Sequence, residues 1–241
     1  MKKLEVYNAI LKPLSPMKNK YLKGAHLSER KFKEILKLFS EDLTATQIAN
    51  ISGVSRVTVN SYLKKIRMQI VKYCESVMPE PTGYPKIQHR NGHDTAVAVK
   101  SEVDRIVKPV IFGIYKADDK VFTEILPDVS RSMIQAIARG RSVLETVVTA
   151  DRIRRFHGVV DLGQYRLYNL NGSSHTEHGK QLDDVDGFWG LTKHRLAKFK
   201  GLNRNTAYLH LKECEFRYNY RNEELYQVLL NLLKTHPLNL S

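Results

Sequence analysis

At 241 residues the chain has room for one large domain or for a small domain joined to a medium one, and its 42% apolar content is enough for a core. Thirty-nine Lys and Arg against 25 Asp and Glu leave a formal net charge of +14, which disfavours self-association and draws the protein to polyanions, nucleic acid being the commonest. Only Cys74 and Cys214 occur, without a CxxC pair, and no stretch approaches the roughly 20 apolar residues of a membrane span, which argues against zinc ribbons, disulfide frameworks and membrane partners.

The opening "MKKLEVYNAILKPLSP" places lysines before a short apolar run, but Glu5 and Asn8 interrupt it. It makes a poor signal peptide, and a cytoplasmic, nucleoid-associated location is expected. Residues 1–80 carry 15 Lys and Arg against 7 Asp and Glu, so more than half of the net charge sits in the first third of the chain. Within it, "LSERKFKEILKLFSEDLTATQIANISGVSRVTVNSYLKKIRMQIVKY" predicts three helices. Ser28 caps the first, and Phe32, Ile35, Leu36 and Phe39 follow at helical spacing. Thr44 caps a short second helix carrying Ile48. Gly53 supplies a turn needing positive φ, and Ser55 caps the third helix. Two helices joined by a glycine turn, the second opening polar, form a helix-turn-helix pattern. Val57, Val59 and Leu63 are expected to face inward. Ser55, Arg56, Thr58, Asn60 and Ser61 are expected to meet bases and phosphates in the major groove of duplex DNA, with Lys64, Lys65 and Arg67 extending the basic face.

"PEPTGYP" (79–85) breaks the helical pattern and sets a domain boundary, giving an all-α head over 1–80 and a second domain over 81–241. "YPKIQ" reads as a short strand and 89–106 as an irregular loop. "VKPVIFGIY" and "KVFTEILP" are two strands across the "ADDK" turn, and "DVSRSMIQAIARG" is a helix with Ser130 as cap and Gly140 as stop. "SVLETVVTAD" reads as a strand ending on Asp151, and "GQYRLYNL" as another. From Asp184 onward the pattern is helical, through "GLTKHRLAKFKG", "NRNTAYLHLKECEFRYNYR" and "NEELYQVLLNLLK". Hairpin, helix, strand and then helices is an α/β order. Asp151 at a strand end, Asp186, and Lys193 one to two helical turns beyond it supply carboxylates for Mg²⁺ and a lysine for DNA, which a two-metal phosphodiester reaction needs.

These blocks, above all "DGFWGLTKHRLAKFKGLNRNTAYLHLKECEFRYNYR", resemble bacterial insertion-sequence transposases of the DDE type, the Merlin-related, ISXO-like group. The resemblance covers roughly residues 19–221. It implies a helix-turn-helix head that binds transposon ends, and a ribonuclease-H-like mixed sheet flanked by helices. It also implies three acidic residues holding two Mg²⁺ (or Mn²⁺) ions, and a protein at least dimeric on DNA. The second acidic position falls on Asp151, the third on Asp186 and the lysine on Lys193, while Arg195, Lys198, Lys200 and Arg204 track phosphates.

The sequence departs from the family pattern at three points. The first acidic position falls on Gln88, a neutral amide; Asp replaces Glu at 186; and Arg152 and Ile153 follow Asp151 where the family has glycine and tryptophan. Losing one carboxylate weakens a divalent-cation site severely, because hard cations depend on anionic oxygen. The expectation is an impaired transposase. The alternatives are an active enzyme using Asp151, Asp186 and another carboxylate such as Asp104, a non-catalytic DNA-binding regulator or relic, and a nucleoid-type or RNA-binding role for the same charge.

Overall fold

The computed structural model describes residues 20–23, 27–79, 110–126, 129–138, 153, 155–170, 179–198 and 204–239. Its contacts divide the chain into two compact units, Met1–Gln69 with Glu224–Ser241, and Ile70–Glu223.

In the first unit, Ser28 Oγ accepts from Lys31 N at 3.3 Å and starts helix α1 (Glu29–Ser40). Phe32, Ile35, Leu36 and Phe39 are buried along one face of it. Each such side chain contributes on the order of 1.5–3 kcal/mol by leaving water. Thr44 opens helix α2 (Ala45–Ser52) with a capping box, its Oγ1 accepting from Gln47 N while its own N–H donates to Gln47 Oε1 at 2.9 Å. Gly53 ends α2 in the left-handed region (φ 68°), its N–H donating to Ala49 O at 2.9 Å. Ser55 Oγ then accepts from Thr58 N at 3.1 Å and starts helix α3 (Arg56–Ser76). The capping residues and the turn glycine expected from the sequence are therefore in place. Val59, Tyr62, Leu63 and Ile66 form the buried face of α3 within this unit. Helix α7 (Leu225–Thr235) packs on α1 through buried Leu229 and Leu233, and the two-residue strands β1 (Leu22–Lys23) and β6 (Leu238–Asn239) pair in parallel.

The second unit is built on a four-stranded sheet of β2 (Ile111–Ala117), β3 (Lys120–Ile125), β4 (Gly158–Asp161) and β5 (Arg166–Asn169), in the order β3-β2-β4-β5. All its described pairings are antiparallel. The β2–β3 hairpin falls where its β-branched and aromatic residues placed it. Alternate residues serve opposite faces, as a two-residue period requires. Phe112, Ile114 and Val160 join helices α5 (Gly179–Ala197) and α6 (Arg204–Asn219) on one face, through Val185, Phe188, Trp189, Leu196, Leu211 and Tyr218. Ile111, Val159 and Tyr168 join Ile134 of helix α4 (Arg131–Ala138), Ile153 and Phe156 on the other. A Cβ on Gly113 would come within 2.4 Å of the Phe156 ring, so glycine is what lets that ring pack against β2.

Three expectations change. Strand β4 is unpredicted: its four residues are all buried and lack the alternation that marks a half-exposed strand. Helix α5 begins at Gly179 rather than Asp184, because Lys180, Gln181 and Leu182 continue a helix-forming run, and Asp184 and Asp186 consequently lie inside the helix. Val57 is 81% exposed. It lies about 200° around the helix from Val59, and the two cannot share a buried face. The strand expected over 142–151, "YPKIQ", the 89–106 loop and, beyond Pro79, the 79–85 boundary stretch all fall outside the described residues.

Candidate nucleic-acid interface and acidic helix

Helix α3 presents a continuous outer stripe. Val57, Asn60, Ser61 and Lys64 recur at i, i+3, i+4 and i+7, and all are exposed, as is Arg56 beside them. Ser55 and Thr58 are engaged with each other, Oγ to Oγ1 at 2.8 Å, on top of the cap bond. Lys65 donates to Asn239 O at 2.5 Å, and the Arg67 guanidinium lies over the Phe39 ring at 5.5 Å. Of the eight head residues nominated from sequence, Arg56, Asn60, Ser61 and Lys64 thus point outward, while the other four are tied into the unit's own structure. Sequence reasoning missed Val57 as a member of the stripe; its 200° offset from Val59 was the available signal.

On α5, Asp186 and Lys193 are both exposed and seven residues apart, hence on similar faces of the helix. Asp184 is oriented differently. Lys116 Nζ donates to its Oδ2 at 2.5 Å, and Tyr218 Oη donates to its carbonyl oxygen at 3.0 Å. The Lys116 hydrogen bond holds the Asp184 carboxyl below the usual carboxylate range against the opposing effect of burial. Phe188, Trp189 and Leu196 pack into the core. Arg195 turns inward, its side chain only 13% exposed, and donates to Glu213 Oε1 at 2.8 Å. Lys198 is exposed. Arg204 begins α6, its side chain lying outside the described set, as do Gln88, Asp104, Asp151 and Lys200 altogether.

The carboxylates buried in this unit each face a cation. Glu124 pairs with Arg155, Asp161 with Arg131 at 2.5 Å, Glu213 with Arg195 and Arg217, and Glu215 with Lys212 at 2.8 Å. Asp161, at the end of β4, also accepts from Gly163 N at 2.9 Å and so locks the β4–β5 turn to α4. The signature "LKECEF" is therefore a structural ion-pair system. Lys212 and Glu215 face β3, where Thr123 donates to Glu215 from both N (2.9 Å) and Oγ1 (2.6 Å). Glu213 faces α5. The signal for this was opposite charges at i, i+3 on a helix otherwise apolar toward the sheet. Among the described residues no group of three or more His, Cys, Asp or Glu is placed to hold a metal ion. Asp186 is the sole nominated ligand among them, so the described residues do not by themselves fit a two-metal centre. No helix among them is long and apolar enough to cross a membrane.

No family model matches the chain, and no solved structure matches it. A protein of Haemophilus influenzae described as an uncharacterized transposase-like protein is 31% identical to it over 101 residues, which cover 42% of this chain and 81% of that relative. On a match of that identity and extent, the chain belongs to this transposase-like family.

Proposed function

We propose that this transposase-family protein binds duplex DNA at the ends of an insertion sequence through α3, and that it is impaired in strand cleavage and transfer. The observation that carries the binding is the α3 stripe. Arg56, Asn60, Ser61 and Lys64 are exposed along one face of a helix whose other face is anchored by Val59, Tyr62, Leu63 and Ile66, after a turn set by Gly53. That arrangement supports reading the head as a helix-turn-helix, for which the +14 charge of the chain would supply the long-range attraction. Helices on both faces of the sheet, the β2–β3 hairpin and the following α4 support reading the second unit as a ribonuclease-H-like domain. Asp151 and Asp186 are the residues that would hold Mg²⁺ or Mn²⁺, with Lys193 beside the DNA and Lys198, Lys200 and Arg204 along its backbone. The bound ions would supply activation of the attacking oxygen and stabilisation of the leaving one. Gln88 in place of the first carboxylate is the reason for the impairment, and pairing of two ends makes a homodimer on DNA the working assembly.

Strand-transfer assays on end-containing duplexes test the catalytic part. With Mg²⁺ or Mn²⁺ we expect little product from the wild-type chain and a gain from Gln88→Asp. Full activity of the wild-type chain, abolished by Asp151→Asn, would overturn the impairment and leave DNA binding standing.

A further inference from the structure

Val57 is the most exposed large apolar side chain among the described residues, at 81%. A β-branched residue in the first turn of an exposed helical face adds nothing to helix propensity, and here it adds nothing to the core. Its place is informative. Arg56 precedes it, and Asn60, Ser61 and Lys64 follow on the same stripe. Ser55 and Thr58, which could also reach bases from this turn, are occupied with each other and with the helix cap. The outward-facing groups at the start of α3 are therefore one pair of methyl groups, one amide and one hydroxyl, with a cation at either end.

We propose that this stripe selects a step containing an A·T pair in duplex DNA, the Val57 methyls packing against the 5-methyl group of thymine and Asn60 pairing with N6 and N7 of adenine. The proposal rests on the DNA-binding reading above and specifies what that surface reads. In the major groove the thymine methyl is the only apolar group a base edge offers, and a side-chain amide matches adenine with one donor and one acceptor. Val57 and Asn60 are separated by about 4.5 Å along the helix axis, comparable with the rise of about 3.4 Å between successive bases on one strand. The two side chains thus reach the same or adjacent base pairs, while Arg56 and Lys64 lie outside them, where phosphates flank the groove. The charge on this face matches a polyanion, and the methyl groups match the B-form major groove; the deep, narrow major groove of A-form RNA excludes the helix and carries no thymine.

The test uses the full chain and duplexes selected by binding from a random-sequence pool, in which each thymine is then replaced singly by deoxyuridine. We expect one thymine whose replacement weakens wild-type binding about three- to fivefold, the value of one buried methyl group. The same replacement should leave Val57→Ala unaffected, and Asn60→Ala should lose preference for an adenine in that step by on the order of tenfold. The exposure of Val57 means that Val57→Ala should keep the wild-type unfolding midpoint. Selected duplexes that bind equally with deoxyuridine at every position would overturn the methyl readout while leaving DNA binding intact. Failure to retain any duplex at low salt, or equal retention of RNA, would overturn both.

Discussion

Arg195, in the last turn of α5, reads in the sequence as one more basic residue of that helix, yet it is held by Glu213, 18 residues further along the chain. Charge counted along one helix cannot see a partner on the next, which is why Arg195 was read as a phosphate contact. Glu213 keeps Arg217 at 2.9 Å when Arg195 is removed, so Arg195→Ala should cost about 1.5–3 kcal/mol, the range for a hydrogen bond to a charged group, read as a shift in the urea midpoint. His157 gives a pH signature. Its Nδ1 accepts from Lys116 N at 3.2 Å, and burial, reinforced by the Lys116 charge, lowers its pKa. The folded state therefore resists protonation, and as pH falls the unfolded chain takes up the proton first. The stability from the neutral imidazole is full above its ordinary pKa and declines from there downward through the folded value. Urea midpoints should fall between about pH 7 and pH 5 and fall less for His157→Gln, since imidazole is the side chain whose ordinary pKa lies in that range; identical pH profiles would refute this. Cys74 and Cys214 are buried, and burial raises both thiols, Cys214 to about 11. Neither should react with a thiol reagent until the protein unfolds.

At the scale of elements, legibility followed periodicity and caps. Ser28, Thr44, Gly53, Ser55 and Ser130 announced helix ends in the sequence, and each makes the expected bond or turn. The β2–β3 hairpin was equally readable. Strand β4 was not, because a four-residue strand buried on both faces carries no alternation. The α5 start lies before Asp184, whose carboxylate inside the helix is paired with Lys116 on β2, a partner distant in sequence. The strongest test at this scale is the contact of α6 with β3. Lys212 and Glu215 are each about 1% exposed, and Lys212 Nζ also donates to Thr123 O at 2.8 Å. Lys212→Met should destabilise by about 3–5 kcal/mol, because Glu215 is left as an uncompensated buried charge, and adding Glu215→Gln should restore part of that loss. Equal unfolding midpoints for the single and double variants would refute the pairing argument. Gly113→Ala, which must displace the Phe156 ring, should cost about 1–3 kcal/mol by overpacking in the same assay.

For the whole molecule, the sequence speaks to charge and to helix positions more directly than to a metal site. Net charge, helix caps and the polar opening of α3 are local or additive properties, whereas a metal site depends on residues distant in sequence meeting in space. Of its three nominated corners, Gln88, Asp151 and Asp186, only Asp186 lies among the described residues. The central claim is that the α3 stripe binds duplex DNA. Fluorescence anisotropy with a labelled duplex, titrated across salt concentrations for the wild-type chain and for Arg56→Ala/Lys64→Ala, tests it most directly. We expect tight binding at low salt that weakens steeply as salt rises, and a double variant that binds more weakly with the magnitude of its log–log slope reduced by about 2, one for each phosphate contact removed. No binding by the wild-type chain at low salt, or the same affinity and slope for the variant, would contradict it.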